Sequence, residues 1–373
     1  MSNELTLSID AMGGDDAPQM TVEGVDLALE MLPHVSVRLY GNERLIAPLL
    51  ANASPRMAAR CVVVHTDDIV TNDEKPSNAL RNGRNSSMRL AINAVRDGEA
   101  VGVVSAGNTG ALMAMSKFVM KTLPGIDRPA IATVLPTLRG QTVMLDLGAN
   151  IECDVDNLVQ FAVMGEAFAR NVLGLEKPTV GLLNVGVEGL KGNEAVKGAS
   201  QILQETHLPI EFYGFVEGDD IGLGTVDVVV TDGFTGNVAL KTAEGTARLL
   251  TGLLRESLTS SPLAKLGAFF AMPALKAFKE KFDPRVHNGA MFLGLNGICV
   301  KSHGGTDAFG FANAIKVAAD LVGNDVNDEI KHDFAELDAE LQAEKAAEAT
   351  TEEAVDSRTE DPDKLVTQDE VSN

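Results

Sequence analysis

The sequence predicts an α/β protein built on a mostly parallel, doubly wound sheet, and three observations predict it. Short runs of β-branched residues alternate with helix-length segments. Nearly every run ends in a loop of Gly, Asn, Asp or Thr, where open α/β sheets place their sites. Two of those loops share a template: V-V-S-A-G-N-T-G-A at 103–111 recurs as V-V-T-D-G-F-T-G-N at 229–237, each running into a helix-like segment. A buried strand that feeds such a turn and then a helix offers unpaired N–H groups and the positive end of the helix dipole to an anion.

The first element, Leu5–Asp10, alternates apolar and polar residues as a strand does. It breaks into A-M-G-G-D-D-A-P, whose glycines permit conformations closed to other residues. Residues 22–32 read as a helix. Strands follow at 35–40, 62–65, 101–105, 143–146, 180–185, 226–232 and 297–301, alternating with helical stretches such as 86–97, 158–172 and 193–206. That rhythm is βαβ, the pattern of a three-layer α/β/α protein. Beyond about residue 325 the apolar period fades. A helix is compatible with 328–341, but the remainder is acidic and too poor in apolar groups to pack. The reading is one α/β domain over 1–324 and a largely disordered acidic tail over 325–373.

A chain of 373 residues, 45% hydrophobic with 35 glycines, can bury the core of an α/β enzyme. Its net charge of −22 argues against wholesale nucleic-acid binding. After position 324 there are 17 acidic and 4 basic residues, leaving 36 and 27 for the rest, an ordinary balance for a soluble enzyme. Cys61, Cys153 and Cys299 are widely separated, without disulfide or zinc spacing, and are expected to be small buried side chains. Asp10 and Asp15 share a loop but lack a third clustered ligand, so no metal is expected. The N-terminus lacks the basic start and apolar run of a signal peptide, and no uncharged stretch reaches about 18 residues. A soluble, cytoplasmic protein is expected.

The strand ends carry the candidate site. They supply Gly13 and Gly14 after the first strand, Ser105, Gly107, Asn108 and Thr109 after the next site strand, Asn150 in D-L-G-A-N, and Asn184 and Lys191 in N-V-G-V-E-G-L-K-G-N-E. The later strands add Asp232, Gly236 and Asn237, with Lys241 one turn on, and then His303 in K-S-H-G-G-T-D. Each loop also has a plain structural reading, since Gly-rich turns with Asn or Asp helix caps are common without a ligand.

This inventory of amides, hydroxyls and lysines has no nucleophile elbow. It suits a reaction that needs little acid or base help, such as attack of phosphate on a thioester, where the nucleophile is already anionic and a thiolate of pKa about 8.5 leaves. The requirements are to hold an anion, stabilise an oxyanion and align reactants. Lys191 and Lys241 are candidate cations, with solvated surface lysines as the alternative. His303 is a candidate to protonate a leaving group or bind phosphate, or else a structural histidine. Asp232 would repel phosphate and is better suited to orienting Lys241, Asn237 or the turn.

The stretch 263–282 departs from the acidic remainder, with apolar groups, four lysines and a net charge of +3. Pro273 is expected to break it into a helical hairpin, at about 257–284, with exposed phenylalanines. It suits an anionic membrane surface or an acidic partner, and equally a dimer interface or core pair.

Together, D-A-M-G-G-D, S-A-G-N-T-G-A-L-M-A, P-G-I-D-R-P-A, D-L-G-A-N, L-L-N-V-G-x-E-x-x-K-G-N-E, D-G-F-T-G-N-V-A-L-K-T-x-E-G and K-S-H-G resemble the PlsX family of phosphate acyltransferases over about residues 5–322. The resemblance implies transfer of a long fatty acyl chain from acyl carrier protein to inorganic phosphate, without a cofactor, for phospholipid synthesis. It implies an isocitrate/isopropylmalate dehydrogenase-like fold, related to phosphotransacetylase. It further implies a cytoplasmic homodimer that visits the membrane, where a glycerol-3-phosphate acyltransferase uses the product. Two positions depart from the family pattern: Asp16 stands where a histidine is expected, and V-E-G keeps Glu188 but not the expected acidic run. The alternatives are a coenzyme A-dependent phosphate acetyltransferase and a non-catalytic docking protein.

Overall fold

Period-two alternation along the strands creates two cores, one on each side of a sheet. Leu7, Ile9, Val104, Val143, Leu145, Val228 and Val230 pack into one cluster, whereas Val103, Met144 and Val229 pack into the other. The computed structural model describes residues 5–206, 210–281, 283–337 and 339. Its strands are β1 (Leu5–Asp10), β2 (Val35–Gly41), β3 (Cys61–His65), β4 (Gly102–Ser105), β5 (Ala130–Pro136), β6 (Gln141–Leu145), β7 (Thr179–Leu183), β8 (Glu211–Val216), β9 (Val228–Val230), β10 (Ala290–Leu293) and β11 (Ile298–Lys301).

The helices are α1 (Gln19–Met31), α2 (Glu43–Ala51), α3 (Pro55–Arg60), α4 (Pro76–Asn82), α5 (Ser87–Arg96), α6 (Thr109–Met120), α7 (Val155–Val172), α8 (Glu194–Glu205), α9 (Gly218–Leu223), α10 (Gly233–Thr259), α11 (Pro262–Lys281) and α12 (Ala308–Gly323). Buried faces of α1, α7, α8 and α12 cover the first cluster, and those of α4, α5 and α6 the second. The result is the three-layer, mostly parallel α/β architecture expected from the sequence.

The strand order is β3-β2-β1-β4-β11-β10-β5-β6-β9-β7-β8. β10 is antiparallel to both neighbours, and β5 is antiparallel to β6, so the two parallel blocks run in opposite directions. β5, β8 and β10 lie outside the strands expected from the sequence. Two of them carry the reversal, which a simple βαβ rhythm does not contain. The loops after β1, β4 and β11 therefore leave at the strand ends opposite to those after β6, β7 and β9. α10 starts in the second block and carries Lys241 within electrostatic reach of Lys301 and His303. This helix starts at the end of β9 and, with 27 residues, extends about 40 Å.

The helical hairpin differs from the expected one. Pro273 does not divide it: α11 continues through the proline as a single 20-residue helix, and the hairpin is formed by α10 and α11 around Ser260 and Ser261. On so exposed a helix, the carbonyl that Pro273 leaves without an N–H partner can bond to water, which softens the usual penalty. Beyond α12, residues 326–337 are helical, and Val326, Ile330, Phe334 and Leu337 bury one face in the first core cluster. Arg170 on α7 fastens this segment, reaching Glu166, Glu329 at 3.1 Å and Asp333 at 2.7 Å. Residues 340–373, on which most of the expected acidic tail falls, lie outside the described residues.

Candidate active site

Four loops meet where β1, β4 and β11 end. At their centre the buried Asp10 carboxylate accepts hydrogen bonds from Ser87 Oγ at 2.6 Å and Ser105 Oγ at 2.7 Å. Ser105 Oγ in turn accepts from Gly107 N at 3.1 Å. This network fixes the S-A-G-N-T-G turn from beneath. Burial raises the Asp10 carboxyl above its ordinary range, and the two serines, Met12 N–H and Lys301 oppose that shift. Only glycine fits at position 13, where a Cβ would lie 2.6 Å from Asp10 Oδ2 and 2.7 Å from Gly107 N. Gly14, at positive φ, packs beside Ala106 and Gly304. Asp15 ties in two more loops: its N–H donates to Gly304 O at 2.9 Å, and its carboxylate accepts from Asn72 Nδ2 at 3.0 Å.

Asn108 is committed to this framework. Its Oδ1 caps α6 by accepting from Ala111 N at 3.0 Å, while its Nδ2 donates to the carbonyls of Thr71, Asn72 and Glu74. The amides of Thr109 and Gly110 precede Leu112 N, the first intrahelical donor of α6, and are not used by that cap.

Lys301, the last residue of β11, lies against this turn. Its ammonium donates to Ala106 O at 3.3 Å and to Ser302 O. Burial lowers its pKa to about 8, against the opposing pull of Asp10 and Asp15. His303 is exposed at the mouth of the loop, and Asn288 Oδ1 holds its backbone N–H. Burial, then the nearby charges of Lys241 and Lys301, lower the His303 pKa, so the ring is neutral near pH 7. Its Nδ1 accepts from Gly305 N at 3.2 Å, which leaves the ring hydrogen on Nε2. In this form His303 is a hydrogen-bond donor.

α10 carries the second block's contribution towards these groups. Lys241, Glu244 and Arg248 all act electrostatically on His303, and Lys241 acts on Lys301 as well. Lys241 Nζ is held 3.0 Å from Glu244. A cluster of cations thus forms beside the S-A-G-N-T-G turn in a chain of net charge −22.

The first turn of α10 is anchored elsewhere, on the D-L-G-A-N turn. Buried Asp146 accepts from the N–H groups of Ile131, Gly148, Ala149 and Asn150 and from Asn150 Nδ2. Burial still raises its carboxyl. Asn150 O accepts from Gly233 N, and Asn237 Nδ2 donates to Leu147 O at 3.0 Å. Asp232 is the N-cap of α10, with both oxygens occupied by Thr235 N and Oγ1 at 2.8 Å. The two sequence-related turns therefore start their helices at different template positions, at Thr109 and at Gly233.

Asn184 and Lys191 form a third group. Asn184 Nδ2 donates to Lys191 O, and Lys191 pairs with Glu188 at 3.0 Å on an exposed loop. Among the described residues no hydrogen bond or ion pair joins this loop to the Lys301 cluster, and no group of His, Cys, Asp or Glu is arranged to hold a metal. Burial pushes all three cysteine thiols up to about 12, so none is a ready thiolate. Cys299 is fully buried, whereas Cys61 and Cys153 are partly so.

Residues 5–329 match the family model described as "Fatty acid synthesis protein". The phosphate acyltransferase of Paramagnetospirillum magneticum is 62% identical over 337 residues, covering 90% of this chain and 96% of its own. That of Rhodospirillum rubrum is 60% identical with the same coverage. The chain belongs to the phosphate acyltransferase family. It is an acyltransferase of fatty acid and phospholipid synthesis.

The fold of this transferase resembles that of phosphotransacetylases. The Streptococcus pyogenes enzyme superposes with a TM-score of 0.58 at 15% identity, over 86% of this chain and 94% of its own. The EutD enzyme of Staphylococcus aureus gives 0.54 at 15%, over 86% and 95%. Among the described residues, no helix of the transferase is long and apolar enough to cross a membrane.

Sequence reasoning passed over Lys301 and left Asp10 and Asp146 without a role. Their signal was position: each is a charged residue at or just past the end of an otherwise apolar strand, where burial forces a partner.

Proposed function

We propose that the transferase moves a long-chain fatty acyl group from acyl carrier protein to inorganic phosphate, releasing acyl phosphate and free carrier. A phosphate oxygen attacks the thioester carbonyl carbon. The C–O bond forms to give a tetrahedral oxyanion, whose collapse re-forms the carbonyl and breaks the C–S bond; the thiolate leaves with a pKa of about 8.5 and takes up a proton from the medium. Lys301 and Lys241 offset the phosphate charge, the free α6 amides of Thr109 and Gly110 bind its oxygens, and neutral His303 donates from Nε2 to the carbonyl oxygen as it becomes an oxyanion. Asp10, Ser105 and Asn108 position the turn, while Asp232, Asn150, Gly236 and Asn237 seat α10. Lys191 pairs with Glu188 on a separate exposed loop and takes no part in this arrangement.

The observation that carries this reading is the gathering of Lys301, His303 and Lys241 beside a glycine turn and helix start, in a member of the phosphate acyltransferase family. We also assign the exposed apolar stripe of α10, with Leu249, Leu250, Leu253 and Leu254, to a homodimer interface. Phe269 and Phe270 of α11 suit an anionic membrane surface, where a glycerol-3-phosphate acyltransferase would receive the acyl phosphate. On this reading the protein is cytoplasmic and peripherally membrane-associated.

Purified protein incubated with palmitoyl-acyl carrier protein and labelled phosphate is expected to release thiol only when phosphate is present, with label entering an acyl phosphate. No phosphate-dependent release would remove the reading. Equal use of acetyl-coenzyme A would favour a phosphate acetyltransferase instead.

A further inference from the structure

A second region besides 263–282 reverses the sign of the whole chain. Residues 75–128 contain eight Lys or Arg and only three Asp or Glu, within a protein of net charge −22. The structure gathers much of this charge around a groove between α4 and α6, about 500 Å³ in volume. Leu80, Met113, Ala114 and Phe118 supply apolar lining, with Lys117 and Lys121 beside them. Phe118 is 54% exposed, an unusual state for a phenylalanine on a helix that otherwise packs well. Both Arg89 and Lys121 lie over its ring, at 5.3 and 5.0 Å. Burial lowers the pKa of Arg89, and the charges of Arg96 and Arg84 add to the effect, although Arg96 is itself paired with Asp97 at 2.7 Å.

The groove lies on the helix that begins at the candidate active site. Asn108 caps α6 at the S-A-G-N-T-G turn, and Lys117 follows nine residues later, about 13 Å along the axis. α4 is fitted to the same turn, since a Cβ on Gly110 would come within 2.7 Å of Pro76.

We infer that the α4/α6 groove, with its apolar floor around Phe118 and its cations Lys117, Lys121 and Arg89, is the docking surface for the acidic carrier protein that delivers the acyl thioester. This rests on the function proposed above and adds to it where the donor binds. Charge complementarity selects the partner: a cationic patch beside an exposed aromatic ring attracts an acidic helical surface. One helix length then separates docked carrier from reacting thioester, a span suited to a flexible prosthetic arm.

The test uses the full chain with two donors, palmitoyl-acyl carrier protein and the protein-free palmitoyl-pantetheine, each with labelled phosphate. Lys117→Glu/Lys121→Glu is expected to raise KM for the carrier-bound donor by about tenfold. The rate with palmitoyl-pantetheine and KM for phosphate should stay at wild-type values, and Phe118→Ser should give a smaller change of the same kind. If wild-type protein uses neither donor, the reading of function fails and the docking surface with it. If wild-type protein turns over and the double variant keeps its KM for the carrier-bound donor, the docking surface alone is overturned. Equal losses with both donors, or loss only of binding to phosphatidylglycerol vesicles, would also overturn it.

Discussion

Lys301 Nζ lies 3.3 Å from Ala106 O, so the last residue of β11 is hydrogen-bonded to the turn that follows β4. That turn is also held from beneath by Asp10 through Ser105. A cation and a carboxylate thus brace one glycine turn from two neighbouring strands.

The Lys301 ammonium is expected to shape the alkaline limb of the pH profile. Burial brings its pKa down to about 8, so the charge is present at neutral pH and is lost as pH rises through that value. Phosphate kcat/KM of the free enzyme should fall with a midpoint near 8. Lys301→Arg, which stays charged, should remove that limb. Lys301→Met should raise KM for phosphate about tenfold or more at pH 7, the loss of one charged hydrogen-bond donor. A profile unchanged in Lys301→Arg would show that another group titrates.

Gly236 tests how α10 is seated. A Cβ at this position would overlap the Asp146 carbonyl oxygen, which is backbone and cannot swing away. Gly236→Ala should therefore push the first turn of α10 off the D-L-G-A-N turn, lowering stability by about 1–3 kcal/mol. Because Lys241 rides on the same helix, activity should fall further than the folded fraction does. Comparing denaturation midpoints with kcat at a temperature where the variant is fully folded separates the two effects.

Much of the fold was legible because alternation and loop chemistry are local. The strand over Leu5–Asp10 and the helices near 86–97, 158–172 and 193–206 follow directly from apolar period and caps. The direction of the second parallel block was not legible, since it depends on β10 and β5, two short strands that pair antiparallel without a diagnostic turn. In the site, the glycines and Asn108 stood out by residue type. Their type did not reveal that Asn108 spends both ends of its amide on a cap and a loop, or that Lys301 is half-buried against the neighbouring turn. Similarly, Pro273 reads as a breaker in sequence, yet solvent around α11 lets the helix pass through it.

The exposed phenylalanines of α11 give a direct measure of membrane contact. Phe269 and Phe270 meet edge to face with ring centroids 5.7 Å apart, and they are 66% and 74% exposed. Replacing Phe269, Phe270 and Phe278 with Ser should weaken co-sedimentation with phosphatidylglycerol vesicles while leaving the thermal midpoint nearly unchanged, as these side chains contribute little to the core. Undiminished vesicle binding would assign these rings to a protein contact.

The last test concerns where the folded unit ends. Glu166 is only 2% exposed and depends on Arg170, which also holds Asp333 and Glu329 of the helical segment 326–337. Arg170→Met would leave buried carboxylates without their counter-ion, a loss of about 3–5 kcal/mol. Burial already raises the Glu166 and Asp333 carboxyls, so each binds its proton more tightly folded than unfolded, and stability falls as pH rises above the ordinary carboxylate range. The deficit of Arg170→Met should accordingly be smaller at pH 5 than at pH 8. Truncation after residue 324 removes Val326, Ile330, Phe334 and Leu337 from the core and should destabilise by a similar or larger amount. Truncation after residue 339 retains these contacts and should leave the unfolding midpoint close to that of the full chain.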